Sequence, residues 1–239
     1  MIHGPTAIDL WVAYALAGLL GRYPLFDLSV QSLLNHQMLG GFWYAVVMFL
    51  LWLRGIRLGK SETQGRILAT MLASGVAIVL ALAAGLLVSS TPPNLYPGLS
   101  RLFPEYLERS INDNCFPSLS TAVLTATSLG ILSMHRRAGV ILLVLVPFVV
   151  SLPRMYVGGH YLSDVMAGFA LGTAAYCGAM YFIWPDRVAR IHTWLEGRPR
   201  LRIIGDLMIF LWMMQLAVGF REVIWLYKSV PILLRRLVA

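Results

Sequence analysis

Charge is scarce in this 239-residue chain. Asp, Glu, Lys and Arg make up 13% of it, against roughly 25% in soluble domains. Apolar residues take their place: 58% of the chain is hydrophobic and the mean hydropathy is +0.72. That excludes an ordinary soluble domain and places the chain in lipid. Cysteine is nearly absent. Cys115 and Cys177 are the only two, one in a polar linker and one inside an apolar run, so neither a disulfide framework nor a thiolate metal site is expected. The long apolar runs do not alternate with polar residues, which excludes a β-barrel. A cleavable leader is not expected. Asp9 interrupts the first apolar run, no basic stretch precedes it and no small-residue cleavage site follows, so the first helix is expected to be retained. Basic residues lie in short linkers rather than in one patch, so nucleic acid is not an expected partner and the net charge of +8 is read as a topology signal. Internal repeats and low-complexity tracts are absent.

What is present is a series of apolar segments: Thr6–Leu20, Met38–Leu53, Ile67–Ser89, Ser118–Met134, Ala138–Leu152, Tyr161–Trp184 and Ile203–Val218. The fold class they predict is all-α, a polytopic transmembrane bundle. Six segments form a core over residues 1–184. A basic linker and a hydrophobic or amphipathic C-terminal part fill 185–239. Several segments are shorter than the ~20 residues of a straight span, so their helices are expected to extend into the flanks. Residues 90–117 form the longest linker and carry Pro92, Pro93, Pro97 and Pro104. This length predicts a structured lid rather than a simple turn.

Lys and Arg set the expected orientation. Arg54, Arg57, Lys60, Arg66, Arg136, Arg137, Arg187, Arg190, Arg198, Arg200 and Arg202 lie in alternate linkers, whereas the opposite linkers hold only Arg22, Arg101, Arg109 and Arg154. By the positive-inside rule the first set is cytoplasmic, and Arg154 and its neighbours face outward across a cytoplasmic membrane. Arg221, Lys228, Arg235 and Arg236 fit a C-terminal hairpin or interfacial helix better than a seventh span.

The outward linker between the last two core segments holds the densest chemistry. Arg154, His160 and Asp164 stand at spacings of six and four. Ionisable groups at such a place are costly and usually have a task. Gly158 and Gly159 permit a tight turn before His160. Asp164 falls one helical turn after His160, on the same face, where its carboxylate can accept a ring N–H and leave the other nitrogen free to attack. Arg154 can hold a phosphate through two parallel hydrogen bonds. A structural His–Asp pair in a polar loop is the plainer alternative.

A second candidate is Asn112-Asp113-Asn114-Cys115-Phe116-Pro117-Ser118-Leu119-Ser120-Thr121, which opens the fourth segment. Pro117 suits a helix start, and Ser118, Ser120 and Thr121 place hydroxyls around the unpaired amides of a helix N-terminus, an anion-binding end. An ordinary capped transmembrane helix has the same features.

Arg-x5-His-x3-Asp followed by Val-x-Ala-Gly resembles the third signature of the type 2 phosphatidic acid phosphatase (PAP2) superfamily. Phe116-Pro117-Ser118 resembles the start of its second signature, Pro-Ser-Gly-His or Pro-Ser-Leu-His. The order and the sidedness of the two also match. The resemblance implies a membrane lipid phosphatase or phosphotransferase. In it His160 attacks phosphorus and becomes a phosphohistidine, and Asp164 orients His160. Arg154, Ser118 and the backbone near Leu119 and Ser120 hold the phosphate oxygens. No cofactor or metal is implied, since Arg154 and helix-end amides do the charge work.

The sequence departs from the family pattern in three places. Pro153 replaces a Ser before the arginine. The first signature, Lys-x6-Arg-Pro, is not found, and Arg101 and Arg109 in the same linker are the candidates to supply its positive charge. Ser120 stands where the second signature has the His that protonates the leaving alkoxide. General acid help of that kind is typically worth ~10²–10⁴-fold. A leaving group that is itself a phosphate needs little of it. The expected substrate is therefore a lipid diphosphate, such as a polyprenyl diphosphate. Alternatively another acid replaces it, with His36, Glu105, Glu108 and Asp113 as candidates, or catalysis is lost and the chain is a lipid-phosphate-binding subunit of an envelope assembly or transport system. Asp206, in the last segment, is either a pocket residue or the interfacial start of a helix.

Overall fold

The computed structural model describes residues 4–35, 40–103, 114–182, 188–190, 193–194, 197–218 and 220. Its regular elements among these residues are helices: α1 Ala7–Ala17, α2 Pro24–Asn35, α3 Phe42–Arg57, α4 Ser61–Leu87, α5 Leu119–Met134, α6 Arg136–Leu145, α7 Leu152–Tyr156, α8 Leu162–Phe182 and α9 Pro199–Ala217. A π-helical segment, Val146–Ser151, joins α6 to α7, so that Arg136–Tyr156 is one continuous helix.

Among the described residues three helices are long and apolar enough to cross a membrane: Ser61–Leu87, Arg136–Tyr156 and Leu162–Phe182. α1, α5 and Ile203–Ala217 are apolar but shorter. Large apolar side chains face outward on the long helices, among them Val79, Leu86, Ile141, Phe148 and Met166. In water a surface of this kind is an aggregation liability. On helices of this length it is a lipid-facing surface, and the protein is a membrane protein.

The six apolar core segments correspond to α1, α3, α4, α5, α6–α7 and α8, and the seventh to α9. The second starts later than expected and runs on to Arg57. One helix, α2, lies in what reads as a linker.

Helix association in lipid depends on close packing rather than on hydrophobic burial, because lipid is as apolar as leucine. α4, α5 and α8 form the central triad, lined by Ala77, Ala81, Ala122, Ala126 and Ala175. α8 presents Gly168 and Gly172, four residues apart, to α5. A Cβ on Gly168 would meet the Ser118 carbonyl at 2.6 Å, and one on Gly172 would overlap the Ala122 carbonyl. These two glycines let the backbones touch, which brings the start of α8 against the start of α5. A larger cluster joins α3, α4, α5, α6 and α9 through Tyr44, Met48, Ile67, Ile131, Leu142 and Leu216. The buried Tyr44 hydroxyl donates to the Leu142 carbonyl at 2.8 Å, so its polar atom is satisfied.

The described part of the long linker is packed down by hydrogen bonds at both its ends. Asn114 Oδ1 accepts from Ser90 N–H at 2.9 Å and Phe116 N–H at 3.1 Å, while its Nδ2 donates to the Gly85 and Val88 carbonyls at 2.8 and 3.1 Å. Asn114 thus seals the C-terminal end of α4 to the segment that opens α5. Asn94 N–H donates to the Gly158 carbonyl at 3.0 Å. Phe103 packs on Gly158 so closely that a Cβ there would lie 2.6 Å from its ring. Gly158 also has φ +74°, a conformation that L side chains rarely adopt.

Candidate active site

His160 and Asp164 straddle the start of α8. His160 is one-sixth exposed, with 16% of its side-chain surface accessible, and Asp164 is buried. The ring's hydrogen-bond partner is not Asp164, as the spacing suggests, but the backbone of the second motif: His160 Nδ1 lies 2.9 Å from the Cys115 carbonyl. A carbonyl can only accept, so Nδ1 carries the proton and, in the neutral ring, Nε2 keeps its lone pair. Asp164 Oδ2 lies 3.7 Å from Nδ1, too far for a hydrogen bond but close enough for electrostatic support. Its own hydrogen bond comes from Tyr161 N–H at 2.7 Å. Asp164 Oδ1 is buried and has no hydrogen-bond partner among the described residues.

The two motifs are tied by backbone as well, since Ser118 N–H donates to the Asp164 carbonyl at 3.0 Å. Ser118 is the N-cap of α5, and the first turn of that helix closes with Ala122 N–H on the Ser118 carbonyl at 3.1 Å. The amides of Leu119, Ser120 and Thr121 precede that bond, which makes this a helix end able to take an anion.

A chain of hydroxyls decides which serine can serve a phosphate. Ser151 Oγ donates to the Val146 carbonyl at 3.1 Å. Its single proton is then used, so at 3.0 Å it must accept from Thr121 Oγ1. Thr121 in turn must accept from Ser118 Oγ, 2.8 Å away. Ser118 is completely buried and has no proton left to give to a phosphate oxygen. Ser120 is placed differently. Its Oγ accepts from Arg154 Nη1 at 2.7 Å, and its own O–H stays available. The hydroxyl suited to an anion is therefore that of Ser120, while Ser118 contributes through its buried cap position.

Pro147 helps to set Arg154 in place. A proline inside a helix has no N–H for the preceding turn, and the strand of hydrogen bonds re-registers here as a π-turn. Three residues after Ser151, the half-buried Arg154 meets Ser120 beside a small cavity of about 40 Å³ that is also lined by Leu119, Val123, Val150 and Leu216.

Cys115 is buried, its Sγ donates to the Ser90 carbonyl at 3.1 Å, and burial pushes its thiol well above the ordinary value. It is an inert packing residue rather than a nucleophile. Cys177 is exposed on α8.

Of the other candidates, Arg101 sits in a 3₁₀ turn, Ser100–Leu102, and is exposed, whereas Leu99 beside that turn is buried. Arg109, His36, Glu105, Glu108 and Asp113 lie outside the described residues. Asp206 lines a separate cavity of about 210 Å³ between α3 and α9, with Trp52 and Phe210.

Sequence reasoning missed two residues that the structure attaches to this region. Asp9 Oδ1 accepts from Ser163 N–H at 2.8 Å, and Asp27 Oδ1 accepts from the Tyr156 hydroxyl at 2.5 Å. Asp9 was legible only as a break in an apolar run. Asp27 carried no signal beyond being an acid between two apolar segments.

No curated protein and no solved structure matches the chain. The PAP2 superfamily matches residues 64–187, more than half of the chain and the part that carries α4 to α8 with both motifs, and the chain belongs to that superfamily.

Proposed function

We propose that the protein transfers a phosphoryl group from a lipid diphosphate, such as a polyprenyl diphosphate, through a phosphohistidine at His160. Membership of a family of membrane phosphatases supports a phosphatase-like action on lipid phosphates in general. The observation that carries the finer reading is the 2.9 Å contact of His160 Nδ1 with the Cys115 carbonyl, which leaves Nε2 as the free nucleophile.

The step balances as follows. Nε2 attacks the terminal phosphorus, the bond to the bridging oxygen breaks, and lipid monophosphate departs with the bonding electrons. The ring then carries phosphorus on Nε2 and a proton on Nδ1, so it is cationic, and the Asp164 carboxylate 3.7 Å from Nδ1 balances that charge. Water, or an acceptor hydroxyl, then attacks phosphorus; the N–P bond breaks with its electrons returning to Nε2, and the proton lost by the attacking O–H leaves with the phosphate product or passes to solvent. Arg154, the Ser120 hydroxyl and the amides that open α5 stabilise the charge on the transferring oxygens. Ser120 is bound to Arg154 where the family signature has its acid, which favours a leaving group that needs no proton. The same contact favours a second reading, a silent lipid-phosphate binder. The distribution of Lys and Arg supports a site facing outward from a cytoplasmic membrane.

The test is acid-labile labelling of the purified chain by a polyprenyl diphosphate labelled on its terminal phosphate. Label that disappears in His160→Ala, with folding intact, is the expected result. Retained binding of the lipid without label or turnover would establish the silent binder instead.

A further inference from the structure

The N-terminal helices lie outside the residues that match the family, yet they send two buried carboxylates to the catalytic turns. Asp9 is 2% exposed and Asp27 is completely buried. Buried carboxylates are costly unless every oxygen is used, and these are well served. Asp9 Oδ2 accepts from the Thr6 backbone at 3.0 Å and the Thr6 hydroxyl at 2.8 Å, closing a capping box on α1, while Oδ1 reaches Ser163 N–H. Asp27 Oδ2 accepts from Gly21 N–H at 2.9 Å, while Oδ1 takes the Tyr156 hydroxyl. The Tyr156 ring is also held edge-on by Phe26, with centroids 5.6 Å apart.

The receiving residues are placed around the site. Tyr156 ends α7 two residues after Arg154, and Ser163 stands between His160 and Asp164. One carboxylate thus holds the exit of the arginine segment, and the other holds the entry of the helix that follows His160. Asp9 has a further effect. With Ser163 N–H given to Asp9 and Tyr161 N–H given to Asp164, the N-terminus of α8 is already filled by two carboxylates. An anion is then repelled from α8 and directed to Arg154 and the open amides of α5.

We propose that Asp9 and Asp27 are positioning residues, which hold His160 and Arg154 in the register needed for phosphoryl transfer. This rests on the reading of His160 as a phosphoryl carrier, but it can fail or stand separately. A displacement of about 1 Å in such a site costs ~10²-fold in rate.

The experiment uses the full chain in detergent with Asp9→Asn, Asp27→Asn and Tyr156→Phe. It measures turnover of a polyprenyl diphosphate, affinity for orthovanadate, which adopts the five-coordinate geometry of the transferring group, affinity for inorganic phosphate, and thermal midpoint. The expected result is a fall in turnover of about 10–100-fold and weaker orthovanadate binding by about 10-fold, with phosphate binding changed less than about 3-fold. A purely structural role does not separate the two anions. Lowered thermal midpoints with unchanged turnover and unchanged orthovanadate affinity would overturn the proposal. If the wild-type chain shows no turnover but the variants still separate orthovanadate from phosphate, positioning stands and the catalytic reading falls. Tyr156→Phe keeps the ring against Phe26, so it decides the matter if Asp27→Asn does not fold.

Discussion

Arg154 Nη1 donates to Ser120 Oγ at 2.7 Å, so the arginine expected to hold phosphate is anchored on the residue that stands in place of the family's acid. A serine hydroxyl bound in this way is a poor proton donor for an alkoxide but a good hydrogen-bond donor to a phosphate oxygen. Ser120→Ala is expected to lower kcat/KM about 10–100-fold, the loss of one hydrogen bond to a charged group. The loss should be equal for a lipid diphosphate and a lipid monophosphate. Kinetics on the two substrates check this. A selective loss on the monophosphate would mean that Ser120 acts as the acid.

The Cys115 carbonyl, rather than Asp164, fixes the tautomer of His160. Asp164→Asn should therefore do limited damage. The amide oxygen of the new Asn can take the place of Oδ2 and accept from Tyr161 N–H, the tautomer is unchanged, and only the charge facing the phosphorylated ring is lost. A fall in kcat of about 10–100-fold is expected, well short of the ~10⁴-fold that follows when a catalytic carboxylate that sets the tautomer is neutralised. Single-turnover phosphorylation and hydrolysis rates of Asp164→Asn provide the measurement. The larger loss would return the orienting role to Asp164.

The approach of α8 to α5 gives a prediction with an internal control. Gly172→Ala drives a methyl into the Ala122 carbonyl, and Gly168→Ala drives one against the Ser118 carbonyl and Thr121. Neither neighbour is a flexible side-chain end, so the helices must separate, at a cost of about 1–3 kcal/mol each. Activity should fall with stability, because the Ser118–Asp164 backbone contact lies at this seam. Gly178 lies on the same helix with nothing within 4 Å of its absent Cβ. Gly178→Ala should be neutral or stabilising by about 0.5–1 kcal/mol. Thermal unfolding in one detergent ranks the three.

Hydropathy made the long helices legible, because each carries a long apolar run, and the charged cluster stood out against those runs. α2 did not stand out: Asp27, Ser29, Gln31 and Ser32 make it too polar for a span. The spacing of His160 and Asp164 placed them on adjacent turns, yet it could not show that a backbone carbonyl 45 residues away would take the ring proton. Backbone acceptors leave no mark in a sequence. Asp9 and Asp27 find their partners 154 and 129 residues away, a distance over which no local pattern reaches. The exchange of roles between Ser118 and Ser120 depends on proton direction through Thr121 and Ser151, and so on the π-turn at Pro147.

Asn114 offers the last prediction, since all four of its hydrogen-bonding positions are used: two donors go to carbonyls at the end of α4, and two acceptor sites take the Ser90 and Phe116 amides. Asn114→Ala leaves these groups to find water at a part-buried seam, at a cost of about 2–4 kcal/mol. Asn114→Asp should cost at least as much, because a carboxylate would face the Gly85 and Val88 carbonyls that now receive its N–H groups. Cys115, the next residue, carries the carbonyl that holds His160, so the damage should reach the ring. The measurement is thermal unfolding together with the ¹⁵N chemical shifts of the His160 ring. Wild type should show the Nδ1-protonated tautomer, and Asn114→Ala a mixture. A shared loss of stability and tautomer purity is expected, and an unchanged tautomer in the destabilised variant would separate the linker seam from His160.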